Sequence, residues 1–313
     1  MMTTSIALIP SAISGSRRWL LCCSRIISLL VASSAMFLLQ GCSAIKLAYN
    51  NAPDLAYWRL DGYADLGDAQ SLQVREELAR LLQWHRSNEL PKIAELLKKT
   101  QQLAVAEVAP DQVCSLFAEM RTRFDAVVTQ AEPAAVALAM GLRPAQVVHI
   151  ETKFVKVNAE WQKDWVTGGL AERQAKRLKS AVERSEQFYG TLEDRQLAIL
   201  RNSVVQSSFD PQLSYAERLR RQKDLLQTLR LVSGSEGKSK PAAELATAAL
   251  RAYQERSVNS PNPAYRAYAE KAIVDSCKTF AQLHNSVSPE QRTRALRRLA
   301  DYERDARELA GLL

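Results

Sequence analysis

Five cysteines, three histidines and scattered carboxylate pairs are the side chains here that could do covalent or acid–base chemistry. Cys42 is the most pointedly placed. It closes the run Leu38-Leu39-Gln40-Gly41-Cys42, with a leucine three places before the thiol and a small residue directly ahead of it. That spacing would present the thiol for lipid modification, with residues 1–41 cleaved away and Cys42 left as an N-terminal residue bearing a palmitate-type lipid. Cys22 and Cys23 would leave with the cleaved segment. Only Cys114 and Cys277 would remain, in an oxidising compartment where disulfides persist. They are predicted to pair, and closing so long a loop would stabilise the fold by about 4–5 kcal/mol in the chain-entropy model. Two separately buried thiols are the other reading. Two cysteines and three scattered histidines offer no zinc spacing, so no metal and no cofactor is expected.

The histidines make a weak case for catalysis. His85 stands between Trp84 and Arg86, with Glu89 one helical turn on. Such an i, i+4 carboxylate would pair with the imidazole and raise its pKa, as a structural ion pair. His149 reads as a helix-surface residue, and His284 has no partner motif. No Gly-x-Ser-x-Gly elbow, phosphate loop or His-Glu-x-x-His pattern is present. Glu76-Glu77 and Glu193-Asp194 fall at helix starts or on solvated faces, and carboxylates suit the dipole at a helix start. The expectation is a protein that is not an enzyme. A hydrolase with a site assembled from distant residues is the lesser alternative.

The segment ahead of Cys42 has the parts of an export signal. Arg17, Arg18 and Arg25 are its only charges, and residues 26–39 form an uncharged, mostly apolar core. That core is short for a membrane span, which needs roughly 20 residues. The Arg17-Arg18 pair also resembles a twin-arginine signal, but Arg25 interrupts the apolar run behind it and favours ordinary export. Together with Cys42 this is the pattern of a bacterial lipoprotein signal. Ser43 stands where an aspartate would retain such a protein in the inner membrane, so the expected address is the outer membrane, facing the periplasm. Loss of the three arginines takes the net charge from +8 to +5, with 39 basic against 34 acidic groups. That is a mixed, solvated surface. Nucleic acid is not expected as a partner; anionic lipid head groups or acidic polypeptide segments are. Nothing specifies an oligomer.

From Asp54 onward the composition is helical, rich in Ala, Leu, Arg, Gln and Glu and poor in Gly, with no alternating strand pattern. The expected fold is all-α: an elongated bundle of about nine helices. Residues 42–53 would be a lipidated tether, 54–313 the periplasmic domain, and 233–241 a flexible loop, since Ser, Gly and Lys dominate it. Val147, Ile150, Phe154, Val157, Trp161 and Trp165 recur at three- and four-residue steps, as do Ala295, Leu299, Tyr302, Ala306, Leu309 and Leu313. Each set lays one apolar stripe along a helix, predicted to pack on neighbouring helices. Breaks are predicted at Pro110, 141–144, Gly190, 210–211 and 261–263. Ser288-Pro289-Glu290-Gln291 is a capping box with proline at the first helical position, and Ser214 with Glu217 has the same spacing.

One punctuation mark repeats. An aliphatic residue is followed four places later by glutamine at Leu66/Gln70, Val108/Gln112, Leu142/Gln146, Leu192/Gln196 and Val287/Gln291. An apolar staple before the cap and a glutamine in the first turn would explain it as plain capping. Tyr49, Tyr57, Trp58 and Tyr63 crowd the region after Cys42, with Arg59 among them. Tyr and Trp favour membrane interfaces, where one end is apolar and the other wet. These four are the candidate interface with a bilayer or a membrane protein; the competing expectation, and the stronger, is that they fold back as the first core helix.

Two resemblances follow. The stretch Cys42-Ser43-Ala44-Ile45-Lys46-Leu47-Ala48-Tyr49-Asn50-Asn51-Ala52-Pro53, continuing through Trp58, Leu60-Asp61 and Tyr63, resembles the start of a bacterial lipoprotein family known as domain of unknown function 6279. Trp84-His85-Arg86, Glu89-Leu90-Pro91 and the ending Ser288-Pro289-Glu290-Gln291-Arg292 with Leu299, Tyr302 and Asp305 fit it too. That likeness implies a helical periplasmic lipoprotein and no particular activity. The repeated aliphatic-x-x-x-Gln units resemble the Leu-Thr-x-x-Gln motif of Spy- and CpxP-type periplasmic stress proteins, helical cradles that bind unfolded chains without ATP. This chain is longer, and Gly67, Ala109, Arg143, Glu193 and Ser288 stand where that motif has threonine. The expected function is therefore a membrane-anchored binder of polypeptide or envelope components in envelope maintenance. The alternative is a structural assembly factor docking on an outer-membrane complex.

Overall fold

The computed structural model describes residues 44–234 and 239–313. Cys42 and the predicted signal 1–41 lie outside the described residues, as do 235–238 of the predicted loop. The chain divides into two units, Met1–Tyr49 and Asn50–Leu313. Helix α1, Ala44–Asn50, ends the first and reaches the boundary. The second unit holds α2 (Ala52–Ala64), α3 (Asp68–Asn88), α4 (Leu90–Ala104), α5 (Pro110–Met140), α6 (Pro144–Trp165) and α7 (Leu170–Tyr189). It continues with α8 (Asp194–Val205), α9 (Pro211–Ser233), α10 (Ala243–Val258), α11 (Pro263–Asn285) and α12 (Pro289–Leu309). The described residues contain no strand, so the fold is an all-α multi-helix bundle.

Twelve helices are described where about nine were expected. The extra boundaries lie where the sequence carries faint signals. Pro91 removes the amide that would bond the Ser87 carbonyl, and its ring crowds that oxygen. Helices α3 and α4 therefore part at Glu89, whose backbone stays right-handed at φ −107° and ψ −38°. The strong signals fall where predicted. Pro110, Pro144, Pro211, Pro263 and Pro289 each open a helix, where a missing amide is no loss. Gly190 ends α7 at φ 76°, a left-handed conformation open to glycine.

One predicted cap is displaced. Helix α9 begins at Asp210-Pro211, where the Asp210 carboxylate accepts from the Leu213 amide at 2.9 Å. Ser214 lies inside the first turn and donates back to the Asp210 carbonyl at 2.8 Å. Glu217 is instead buried, at 3 % exposure. Arg220, Arg221 and the Ser260 hydroxyl donate to it at 2.8–2.9 Å. Burial pushes this carboxyl's pKa up, but the donors outweigh burial and hold it below its ordinary value.

Three apolar clusters organise the second unit. Leu142, Val147, Ile150, Leu226, Leu229 and Val232 join α6 and α9, with Val136 of α5 and Ala246 of α10 packed on them. Tyr189, Leu192, Leu200, Leu283, Val287 and Ala295 join α7, α8, α11 and α12. Val108, Val113, Cys277 and Ala281 surround the Cys114–Cys277 disulfide, whose sulfurs are 2.03 Å apart. Helix α5 contributes to the first and third of these; its 31 residues extend about 46 Å at 1.5 Å per residue. Helix α12 lies along α4, linked by Gln101–Glu303 and Arg307–Glu95 hydrogen bonds of 2.7 Å. The first predicted stripe is a packing face, and so is the second as far as Leu309, where α12 ends; Leu313 lies beyond the helix and is 75 % exposed. Trp161 stacks on Tyr215 at 5.4 Å, Trp165 meets Phe209 edge-on at 5.8 Å, and Tyr302 meets Phe188 edge-on at 5.9 Å.

Candidate functional site

The glutamine repeat resolves first. In all five copies the glutamine Oε1 accepts the backbone amide three residues earlier, at 2.8–3.1 Å: Gly67, Ala109, Arg143, Glu193 and Ser288 are the donors. Each glutamine so satisfies one orphan amide near a helix start. Only Ser288 completes the reciprocal box, its hydroxyl accepting from the Gln291 amide at 3.2 Å. Capping accounts for the motif, and the structure adds a second layer.

Four of the glutamines pair with one another. Gln70 and Gln146 exchange amide hydrogen bonds at 3.3 and 2.8 Å, and Gln196 and Gln291 do so at 2.6 and 3.0 Å. Each amide also donates to the carbonyl two residues before its partner's cap. Gln70 reaches Gly141, Gln146 reaches Asp65, Gln196 reaches Ser286 and Gln291 reaches Thr191. The same clasp is therefore built twice, joining the start of α3 to that of α6 and the start of α8 to that of α12. The staples Leu66, Leu142, Leu192 and Val287 anchor each clasp in its own apolar cluster. Gln112 has no glutamine partner among the described residues and stays exposed. Its turn is held by Asn285, which donates to the Val108 carbonyl at 3.0 Å and accepts the Val108 amide at 2.8 Å.

Beside the first clasp opens an apolar groove of about 690 Å³ between α2, α5, α6, α9 and α10. Leu60, Tyr63, Phe124, Val128, Ala135 and Tyr253 are among its walls. Phe124 is 66 % exposed, although aromatic. At the rim, Arg251 grips Glu132 through two hydrogen bonds of 2.6 Å. In the wall, the Ser257 hydroxyl is buried and has no hydrogen-bond partner among the described residues. A buried, unsatisfied hydroxyl beside apolar walls suits a ligand that carries polar groups within an apolar body. Sequence reading did not find this groove. Its one trace is the set of small residues Ala131, Ala135 and Ala139 of α5, which lie in its wall, where short side chains leave room.

The four candidate interface aromatics separate. Tyr49 is half-buried and belongs to the first unit. Tyr57 donates to Ser71 at 3.1 Å and lies under Arg75, 3.6 Å from its ring centre. Tyr63 packs on Phe154 at 5.9 Å, lies under Arg59 and lines the groove. Trp58 and Leu55 turn outward from α2, at 62 % and 53 % exposure.

The histidines do not gather. His85 lies below its ordinary pKa, because burial outweighs the upward pull of Glu89. The predicted upward shift is corrected: the buried Glu89 carboxylate is shared with Lys92 at 2.7 Å and Arg123 at 3.3 Å. His149 is exposed. His284 is buried, with Nδ1 3.0 Å from the Tyr189 hydroxyl and Nε2 2.8 Å from Arg292. Burial and the Arg292 charge push it down, and burial pushes the Tyr189 phenol up to about 12. This trio ties α7, α11 and α12 together. Among the described residues no group of His, Cys, Asp and Glu is arranged to hold a metal, and no helix is long and apolar enough to cross a membrane.

No curated protein and no solved structure matches this chain. It does belong to the family of unknown function DUF6279, which matches residues 62–247, more than half its length.

Proposed function

We propose that this chain is a lipid-anchored binding protein of the cell envelope, whose groove holds an apolar segment of polypeptide. The observation that carries this reading is the groove beside the first clasp: an open, apolar channel with a charged rim and an unsatisfied hydroxyl in its wall. Apolar side chains of a ligand would fill the channel, and its backbone amides or carbonyls would meet Ser257 and the Glu132–Arg251 rim. Grooves between helices accept amphipathic segments in this way. Ala135→Trp tests it, because Ala135 lies exposed on the groove wall and an indole there occupies the channel without emptying the core. The expected result is a loss of about tenfold, near 1.4 kcal/mol, in the affinity that delays aggregation of a reduced model substrate. Unchanged protection by a variant that melts normally would sink the reading.

The membrane address rests on Cys42. Cys42→Ser is expected to move the protein from the membrane fraction to the soluble periplasmic fraction, read by fractionation and immunoblot. A variant that stays in the membrane fraction would refute lipid anchoring there. The outward Trp58 and Leu55 support a second reading, docking on an envelope complex. In vivo crosslinking separates the two: one dominant partner, lost in Cys42→Ser, favours docking, and many unrelated periplasmic proteins favour the polypeptide binder.

A further inference from the structure

A second cavity, of about 800 Å³, lies between α7, α8 and α11. It differs in chemistry from the apolar groove. Trp165, Phe188, Phe209 and Phe280 supply apolar wall, and Arg177 and Arg184 enter from one face of α7. The two arginines are seven residues apart, so they lie on the same side of the helix.

Arg177 is the unusual group. It is half-buried, its guanidinium lies over the Phe209 ring at 4.7 Å, and its Nη2 donates to the Ser207 hydroxyl at 2.8 Å. Among the described residues no carboxylate pairs with it. The neighbouring charges are already engaged: Lys176 with Asp164 at 3.0 Å, and Asp275 on the cavity's other wall with Lys271 at 2.5 Å. Tyr268, also in the wall, is within hydrogen-bonding distance of Ser214 at 3.1 Å. Burial presses the Arg177 pKa down, the direction expected of a cation without a counter-charge. A guanidinium fork with free donors fits phosphate or carboxylate oxygens and holds them more tightly when partly desolvated.

We propose that this cavity binds an anionic amphiphile, with a phosphate or carboxylate head on Arg177 and Arg184 and one hydrocarbon chain along Trp165, Phe188, Phe209 and Phe280. The volume lies within the range of small-molecule sites, roughly 300–1,000 Å³. The site is separate from the polypeptide groove and stands without it.

The test uses the full chain in phosphatidylcholine nanodiscs and two photoreactive probes sharing one hexadecyl tail that bears a diazirine. One probe ends in phosphate, the other in trimethylammonium. Crosslinks are mapped to peptides by mass spectrometry. The phosphate probe is expected to label α7 and α11 several-fold more than the ammonium probe. That labelling should fall about tenfold in Arg177→Gln, the scale of one lost charge-assisted hydrogen bond, and return in part in Arg177→Lys. Ala181→Phe, which fills the cavity with Arg177 intact, should also abolish it. Equal labelling by both heads would overturn the proposal, as would unchanged labelling in a folded Arg177→Gln protein. Displacement of the probe by millimolar inorganic phosphate alone would overturn it in favour of a free-anion site. Should Arg177→Gln fail to fold, the comparison of heads on the unaltered chain decides.

Discussion

Gln196→Ala is expected to lower stability by about 3 kcal/mol, because it removes four hydrogen bonds made by one fully buried side chain. Gln196 is fully buried. Its Oε1 accepts from the Glu193 amide at 2.9 Å and from Gln291 at 3.0 Å, and its Nε2 donates to Gln291 at 2.6 Å. Alanine removes these three bonds and the one to the Ser286 carbonyl at 3.3 Å, uncaps the α8 start, and leaves Gln291 only its bonds to Thr191 and Ser288. Gln112→Ala removes the same local cap on an exposed turn, and its loss should be nearer 0.5–1 kcal/mol. The contrast isolates the clasp from the cap. Urea unfolding reads both, and a shifted midpoint at constant slope reports stability alone. A Gln196→Ala loss no larger than that of Gln112→Ala would show that glutamine pairing contributes nothing. Gln196→Glu keeps the size but turns the donor into an acceptor facing the Gln291 and Ser286 oxygens. Its loss should be greatest at neutral pH and shrink on acidification, as a protonated carboxyl again donates.

Removal of the disulfide should have a still larger effect. Cys114 and Cys277 are 163 residues apart in sequence, so their bond constrains a long loop of the unfolded chain. In the chain-entropy model that constraint stabilises the fold by about 4–5 kcal/mol. For a chain of this size the loss corresponds to a fall in Tm of roughly 10–15 °C, at about 2–4 °C per kcal/mol. Cys114→Ala with Cys277→Ala in one protein is the cleaner variant, because no lone thiol remains to form mixed disulfides. Cys277 is fully buried beside Val113 and Ala281, so packing loss adds to the effect. Calorimetry of oxidised protein, reduced protein and the double variant would measure it. A Tm unchanged on reduction would mean that the bond adds nothing to the folded state.

The two results depend on different ranges of information. A glutamine cap is a local device: the spacing of Leu192, Glu193 and Gln196 places the side chain over its own helix start in any fold. The cap was therefore legible in all five copies. Each copy has the same local appearance, so no spacing along the chain says that Gln196 meets Gln291 while Gln112 meets no glutamine. The partner is set by which helix starts are packed side by side, 95 residues apart in one clasp and 76 in the other. The Cys114–Cys277 pair is a long-range contact that was legible all the same, because the expected export signal and lipid site would leave two cysteines to choose from.

Tyr57, Trp58 and Tyr63 make the same point on one helix. Their composition names a candidate interface, but only the tertiary contacts of α2 turn Tyr57 towards Ser71 and Tyr63 into the groove and leave Trp58 outward. The spacing of Ser214 and Glu217 suggests a capping box, but Glu217 is held by Arg220 and Arg221 on its own helix and by Ser260, 43 residues on, a partner that spacing does not report. By itself the sequence determined the all-α class, the helix starts at proline, the five glutamine caps and the family, because these depend on short-range chemistry and pattern. The tertiary structure alone decided the pairing of the clasps, the apolar groove and the setting of Arg177, which has no carboxylate partner among the described residues. Each of those is made by side chains from several helices, and only packing sets the distances between them.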